Sequence, residues 1–462
     1  MQALLQVMCP LLLCAAAMGQ PCAGPGFREG EPGASGIADP FSAYVGPMLA
    51  HEGRLMIGGA FSQAGPIATN ILAAFEPATQ TWSRLGGNID VGATNGYAAA
   101  LGAFDFGGVS NLVLGGFFVS ARNGTAAAPG TASLARWDGA SWQGLDTGWT
   151  ATTRGSVWSL MPWEPVPGQR RLLVGGAWSS IGSASADGLA YLDATGWHNV
   201  GGAADTGVGG DLSPVVFATI VFNNQLYAGG RFATMNGASA PMVARWNGSA
   251  WQRPGALAAR GVSSDVSCFA IFNDGSGNRL YAGGYEMAVG GQATSIAAWN
   301  GVIWTRVGQN LGGRCTALTV YDDGGGPRLY AGLTADANQN YLYRLEGQTW
   351  VPVGGGVAFP LTGNFASVFG LLVHEGSLYV GGNFQQSGPY PAYGIAQYAP
   401  CAADQCRADF NDDGVLDPDD LSDYIACYFE GPACQRGDYN ASGYADPDDL
   451  SDMISEYFAG CA

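Results

Sequence analysis

One short apolar phrase constrains this chain more than any other feature, because it returns at a near-constant interval. It reads LMIGGAF at 55, LVLGGFF at 112, LLVGGAW at 172, LYAGGRF at 226, LYAGGYE at 280, LYAGLTA at 329 and LYVGGNF at 378, with copies 49 to 60 residues apart. Recurrence at such a period marks a repeat architecture, in which each unit buries its apolar face only against its neighbours. A second strand-like stretch follows, as in SLARWDG at 133, MVARWNG at 242, SIAAWNG at 295 and GIAQYAP at 394. A third is led by Trp: WSRLGG at 82, WQGLDTG at 142, WHNVGG at 197, WTRVGQ at 304 and WVPVGGG at 350. Another apolar run precedes the phrase, as in VVFATIVF at 215, TALTVY at 316 and SVFGLLVH at 367. Four short strands joined by Gly, Asn and Asp turns make an antiparallel meander. The 73 glycines and 12 % charged residues fit turn-rich β structure and not helix.

Seven meanders predict a mainly β fold, a seven-bladed β-propeller over residues 21–400, with a solenoid as the rival. The spacing resembles that of kelch and WD40 blades, although the motifs differ from both. Closure favours a ring. The last repeat stops at Tyr398 without its Trp strand, while GPGFREGEPGASG at 24–36 is an orphan in which Phe27 stands where the Trp stands elsewhere. An N-terminal strand completing the last blade removes an open edge. It also brings Cys22 beside Cys401, which predicts a Cys22–Cys401 disulfide. Cys268 and Cys315, in the first strands of neighbouring blades, are either a further pair or two buried thiols.

Trp137, Trp246 and Trp299, with Phe75 and Tyr398, share one repeat position; Trp82, Trp142, Trp197, Trp251, Trp304 and Trp350 share another. A large ring at one place in every repeat is what packing between blades needs, with stacking on sugars as the alternative. Trp149, Trp158, Trp163 and Trp178 stand outside that pattern and are the better ligand candidates. His51 and His374 occupy equivalent hairpin sites, His198 has no evident partner, and Glu164 sits in the insertion MPWEPVPG. No catalytic constellation emerges, so the expectation is a non-catalytic protein. Two carboxylates at the propeller mouth about 5 to 9 Å apart would instead mark a carbohydrate-active enzyme. Aromatic clefts between blades would mark a propeller lectin.

All 19 basic residues are arginine, which excludes Schiff-base and phosphate-loop lysines. The net charge of −18 leaves no basic face for nucleic acid. Residues 1–20, MQALLQVMCPLLLCAAAMGQ, read as a secretory signal peptide, which places the protein outside the cell or on its surface, and no stretch is apolar enough to span a bilayer. Eight cysteines remain beyond it, an even number compatible with disulfides.

Residues 401–462 differ in kind, with 15 acidic residues against two arginines. DFNDDGVLDPDDLSDYIACYF begins at 409 and DYNASGYADPDDLSDMISEYF at 438. Each places oxygen donors at the positions of a twelve-residue calcium loop, with glycine at the sixth for the sharp turn. The first set is Asp409, Asn411, Asp413, Val415 through its carbonyl, Asp417 and Asp420. The second is Asp438, Asn440, Ser442, Tyr444 through its carbonyl, Asp446 and Asp449. Two Ca2+ ions are therefore expected, the second held more weakly because Ser442 is neutral. After each loop, apolar residues recur at helical spacing: Leu421, Tyr424, Ile425, Tyr428, Phe429, and then Leu450, Met453, Ile454, Tyr457, Phe458. Two such single faces should pack on each other.

Paired loops with Asp at the twelfth position, each followed by one helix, resemble a type I dockerin. The terminal Gly460–Cys461 resembles a variant of that module at the C-terminus of many secreted bacterial proteins. The resemblance covers 404–460 and implies a calcium-folded, all-α module that docks to a cohesin-like or other surface-anchoring partner. The propeller would carry a polysaccharide or protein ligand. Where cohesin-binding relatives often carry Ser or Thr at loop positions 10 and 11, this chain has Pro418, Asp419, Pro447 and Asp448. Cys406 with Cys461 and Cys427 with Cys434 could clasp the module, other pairings remaining open.

Overall fold

The computed structural model describes residues 44–93, 96–201, 214–261, 264–334, 340–359, 366–388 and 390–399. It also describes 26–27, 37–38, 208–209, 410, 418–430, 450–451, 453–454 and 457. The chain forms two compact units, one of Glu31–Asp322 with Pro327–Ala396, the other of Met1–Gly30, Asp323–Gly326 and Gln397–Ala462.

In the larger unit the repeat phrase is always the second strand of an antiparallel meander. Tyr44–His51, Arg54–Ala60, Leu72–Glu76 and Thr81–Ser83 make the first sheet in that order. The second is Tyr97–Asp105, Ser110–Phe117, Leu134–Trp137 and Trp142–Gln143. The third is Ser156–Trp163, Arg171–Ala177, Leu189–Asp193 and Gly196–Asn199. Val215–Phe222, Gln225–Arg231, Val243–Trp246 and Trp251–Gln252 follow. Asp265–Asn273, Asn278–Val289, Gln292–Trp299 and Trp304–Arg306 come next. Then come Arg314–Asp322, Pro327–Thr334, Leu342–Glu346 and Thr349–Pro352. Ser367–His374 and Ser377–Asn383 form the last hairpin. Three of these hairpins turn on left-handed pairs, Glu52–Gly53, Asn223–Asn224 and Glu375–Gly376, the geometry a two-residue type I′ turn needs. His51 and His374 therefore close hairpins, as their sequence context predicts.

The first strands of successive sheets lie side by side, and Ser367–His374 returns to Tyr44–His51, so the series closes on itself. The arrangement is of the β-propeller type. The Trp-led strands fix each sheet to the one before. The indole N–H of Trp142 donates to the Leu85 carbonyl (3.0 Å), Trp197 to Leu145 (2.7 Å), Trp251 to Val200 (2.9 Å) and Trp350 to Val307 (2.9 Å). Each acceptor lies three residues after the equivalent aromatic of the preceding repeat, and each of these rings is buried. The Trp residues at the other repeat position pair across strands within a sheet, as in Trp246 opposite Trp251 with centroids 5.5 Å apart.

The structure adds an element that the strand pattern does not announce. The link between second and third strands forms its own small hairpin, paired with the segment that enters from the preceding repeat. Ile37–Ala38 joins Gln63–Ala64 and Ile67–Ala68, and Val208–Gly209 joins Thr234–Met235 and Ala238–Ser239. Two-residue strands carry too little periodicity to be read from sequence.

Of the two readings of Cys268 and Cys315, the disulfide gives way to free thiols, Cys315 buried and Cys268 half-buried, with sulfurs 3.9 Å apart. They are not at equivalent positions. Cys268 follows the irregularity in its strand and Cys315 precedes it, so the side chains sit alongside each other without bonding.

In the smaller unit Gly26–Phe27 pairs antiparallel with the end of Ile395–Ala399, Phe27 opposite Tyr398. That is the register of Trp137 opposite Trp142 and of Trp246 opposite Trp251. The unit also holds the helix Pro418–Glu430, and Leu450, Ser451, Met453, Ile454 and Tyr457 are helical. Phe410, Tyr424, Cys427 and Met453 form a buried cluster, with Leu421, Tyr428, Leu450 and Tyr457 packed against it. Residues of the two acidic copies thus share one core. Cys427 is disulfide-bonded to a partner outside the described residues. Cys22, Cys401, Cys406, Cys434, Cys461 and residues 1–20, where a signal peptide is expected, also lie outside them.

Candidate functional site

Each first strand carries a β-bulge at the same place. Its register shifts between Val45 and Met48, Ala98 and Ala100, Val157 and Ser159, and Val216 and Ala218. It shifts again between Val266 and Cys268, Cys315 and Ala317, and Val368 and Gly370. The residue before each bulge is a buried Val, Ala or Cys, and the residue after it is small in all but the first strand, where it is Met48. The residues set free by the bulge do not repeat: Gly46–Pro47, Ala99, Trp158, Phe217, Ser267, Thr316 and Phe369. A bulge leaves one residue unpaired and re-aims its side chain. Here all of these residues line a single cavity of about 850 Å³ between the first strands.

The cavity has an aromatic wall. Trp158 lies between Tyr97 (centroids 5.3 Å) and Phe217 (5.4 Å, edge-on), and Tyr44 meets Phe369 at 5.1 Å. Tyr97 also stacks on Phe117 at 6.1 Å, and the Arg154 guanidinium covers that ring at 4.1 Å. Burial pushes the phenol of Tyr44 up, with a further contribution from Tyr97, so it stays a neutral hydroxyl. Burial also raises Tyr97, against a 2.8 Å hydrogen bond with Ser156 that lowers it.

Arg231 and Arg314 enter the same cavity. Arg314 meets Asp265 at 2.6 Å and lies 5.2 Å over the Tyr285 ring. Asp265 is wholly buried, accepts a hydrogen bond from the Ser267 hydroxyl at 2.7 Å and feels Arg231 as well. Burial nevertheless prevails over Arg314, Ser267 and Arg231, and holds the Asp265 carboxyl above the usual carboxylate range. Two guanidiniums against one reluctant carboxylate leave the pocket with positive character. Among the described residues that line the cavity there is no Asp or Glu.

Of the four non-repeating Trp residues, Trp158 belongs to this wall. Trp149 and Trp178 pack on each other at 5.5 Å, and Trp163 lines a separate outer cleft. Glu164 accepts a hydrogen bond from the Gly168 N–H at 2.5 Å within its own insertion, and lies 4.0 Å from Arg170. Arg170 bonds Asp105 at 2.7 Å. His198 does have partners: Thr195 at 2.8 Å, Asp193 at 3.2 Å and the Tyr191 ring. The sequence signal for the aromatic wall is the residue after the constant Val of the first strands, aromatic in SVWSL, VVFAT and SVFGL and Ser in DVSCF.

Of the twelve calcium donors expected from the sequence, Asp420 alone is among the described residues. It is wholly buried in the first turn of Pro418–Glu430. Asp409, Asn411, Asp413, Val415, Asp417, Asp438, Asn440, Ser442, Tyr444, Asp446 and Asp449 lie outside them. A wholly buried carboxylate at that place fits an oxygen-donor set for a hard divalent cation.

No family model matches the chain, and no curated protein matches it. Among solved structures it is similar to the computationally designed Ika8 protein, at 13% identity over 80% of this chain and 100% of that one, with a TM-score of 0.40. It is also similar to BamB from Moraxella catarrhalis, at 12% identity over 83% and 94%, TM-score 0.33. The polysaccharide lyase Uly1 matches at 10% identity over 81% and 92%, TM-score 0.33. Likeness at this level carries no argument about activity.

Proposed function

We propose that the chain is an exported, non-catalytic recognition protein, a seven-bladed propeller joined to a calcium-dependent dockerin-like module. The single observation behind this reading is the convergence of every bulge residue on one cavity. A frame that repeats while its inward residues vary is suited to ligand selection. The aromatic wall favours a ligand with a flat apolar face, and Arg231 with Arg314 favours an anionic group on it. The direct test is titration of the whole protein with 2-naphthoate, which combines both features and reports its environment by fluorescence. One saturable site is expected, weakened at least tenfold in Trp158→Ala. Binding that is unchanged by Trp158→Ala and Phe217→Ala would overturn the assignment.

The C-terminal module would hold two Ca2+ ions through the two donor sets that end in Asp420 and Asp449, and attach the protein to a cohesin-like or other surface partner. Calcium supplies the charge that lets so many carboxylates share one loop. The shared core of Tyr424, Cys427 and Met453 supports this reading. Calorimetric titration of calcium into the chelator-treated protein should give two sites. Asp420→Ala and Asp449→Ala should each remove one. A chain that takes up no calcium would end the dockerin reading and leave the propeller reading standing.

A further inference from the structure

A second cavity, of about 840 Å³, opens between the third and fourth sheets at the strand ends away from the bulges. Two departures from the repeat meet there. Position 191 corresponds to Ala74, Arg136, Arg245, Ala298 and Arg344, and position 198 to Ser83, Gln143, Gln252, Thr305 and Val351. In the second and fourth sheets this pair is Arg–Gln, joined by a hydrogen bond. In the third it is Tyr191 and His198, stacked at 5.2 Å and 27°. Arg171 lies over the Tyr191 ring at 4.3 Å and 5.3 Å from the Trp163 ring. A ladder of Trp163, Arg171, Tyr191 and His198 therefore forms one wall of the cleft.

Among the described residues that line the cleft, Arg171 is the one Arg, Asp or Glu, with the Asp193 carboxylate behind the wall. Asp193 sits 3.2 Å from His198; burial opposes its ionisation, yet bonds from Thr195 and the nearby imidazole hold its carboxyl below the usual range. Arg171 donates to Gln169 at 3.1 Å, and its buried Nε–H has no hydrogen-bond acceptor. A guanidinium with rings on its faces offers only its N–H edges, the geometry that pairs with a carboxylate. The rest of the lining mixes hydroxyl and amide groups, such as Ser185, Asn199 and Ser249, with apolar Pro165, Val166 and Trp197, and the next sheet adds the half-buried ring of Trp246. Hydroxyl and amide groups beside an open indole suit a sugar ring, polar at its edge and apolar on its C–H face.

We propose that this cleft is a separate binding site for a carboxylated saccharide, a uronate unit whose carboxylate pairs with Arg171. The probe is trigalacturonate, compared with its fully methyl-esterified form, titrated into the whole protein. The acid should bind at least tenfold more tightly than the ester. Tyr191→Arg with His198→Gln restores the pair that two other sheets carry, so the fold survives while the ladder is lost; binding should fall at least tenfold with an unchanged Tm. Arg171→Gln should abolish the preference for the acid. Trp158→Ala, in the other cavity, should weaken 2-naphthoate while leaving the affinity for trigalacturonate unchanged. Equal binding of acid and ester, no binding of either, or loss in Trp158→Ala instead of Arg171→Gln would overturn the proposal.

Discussion

At the scale of single residues, Asp265 and the repeated indoles carry the sharpest expectations. The folded chain holds the Asp265 proton more tightly than the unfolded chain does, because burial outweighs the two arginines and Ser267. Its contribution to stability therefore grows as pH falls into that raised range and is lost above it. Protonation also releases Arg314 and Arg231 from their counter-charge. An anionic probe such as 2-naphthoate should bind more tightly at mildly acidic than at neutral pH, and Asp265→Asn should flatten that profile; a steeper profile in the variant would contradict the assignment. At the junctions, Trp251→Phe keeps the ring but removes the donor to the buried Val200 carbonyl. A lost bond with a stranded acceptor costs about 1–3 kcal/mol, seen as a lower midpoint in urea with an unchanged slope. The packing role of these rings was legible from their period. Their hydrogen bonds were not, because the acceptor is a backbone atom one repeat earlier and leaves no mark in composition.

At the scale of the element, the glycine pair in the repeat phrase has a physical reason. The second glycine lies opposite the bulge, where a Cβ at Gly230 would collide with the Val215 carbonyl oxygen, and one at Gly284 with that of Asp265. Gly230→Ala must push the bulge outward, at a cost of about 3 kcal/mol typical of an overpacked site, and should weaken ligand binding along with stability. Cys315 takes the place that Val45, Val157, Val216, Val266 and Val368 hold in five of the other first strands, and Ala98 in the sixth. Cys315→Val should leave the thermal midpoint within a degree or two, while Cys315→Ser, which buries a hydroxyl among apolar groups, should lower it clearly. Strand order and hairpin sites were legible because alternation and turn residues are local signals. The bulges were not, since a one-residue register slip shows only when pairing partners are known.

At the scale of the whole molecule, the mainly β repeat architecture was readable from the recurring phrase, and the pairing of Phe27 with Tyr398 matches the reading of the N-terminal stretch. Removing residues 21–36 strips the partner from Tyr398 and Ala399 and leaves an apolar edge open. That truncation should shift the protein towards aggregates in size-exclusion chromatography. A truncated chain that stays monomeric would show the pairing to be dispensable. The helical faces of the acidic duplication share a core, as the spacing implies. The outer cleft escaped the sequence because Trp163, Arg171, Tyr191 and His198 come from four strands and meet only once the sheet is formed.

The bulges bear on how such a protein could change its target. Backbone pairing, sheet order and the indole junctions make no demand on the residue each bulge sets free. Ser267 bonds the buried Asp265 and Thr316 donates to the Val368 carbonyl of the next sheet, whereas substitutions at 99, 158, 217 and 369 can accumulate one at a time, each remaking the cavity while folding stays intact. Ancestry can then drift towards new ligands without crossing a misfolded intermediate, and a laboratory library confined to those sites inherits the same freedom.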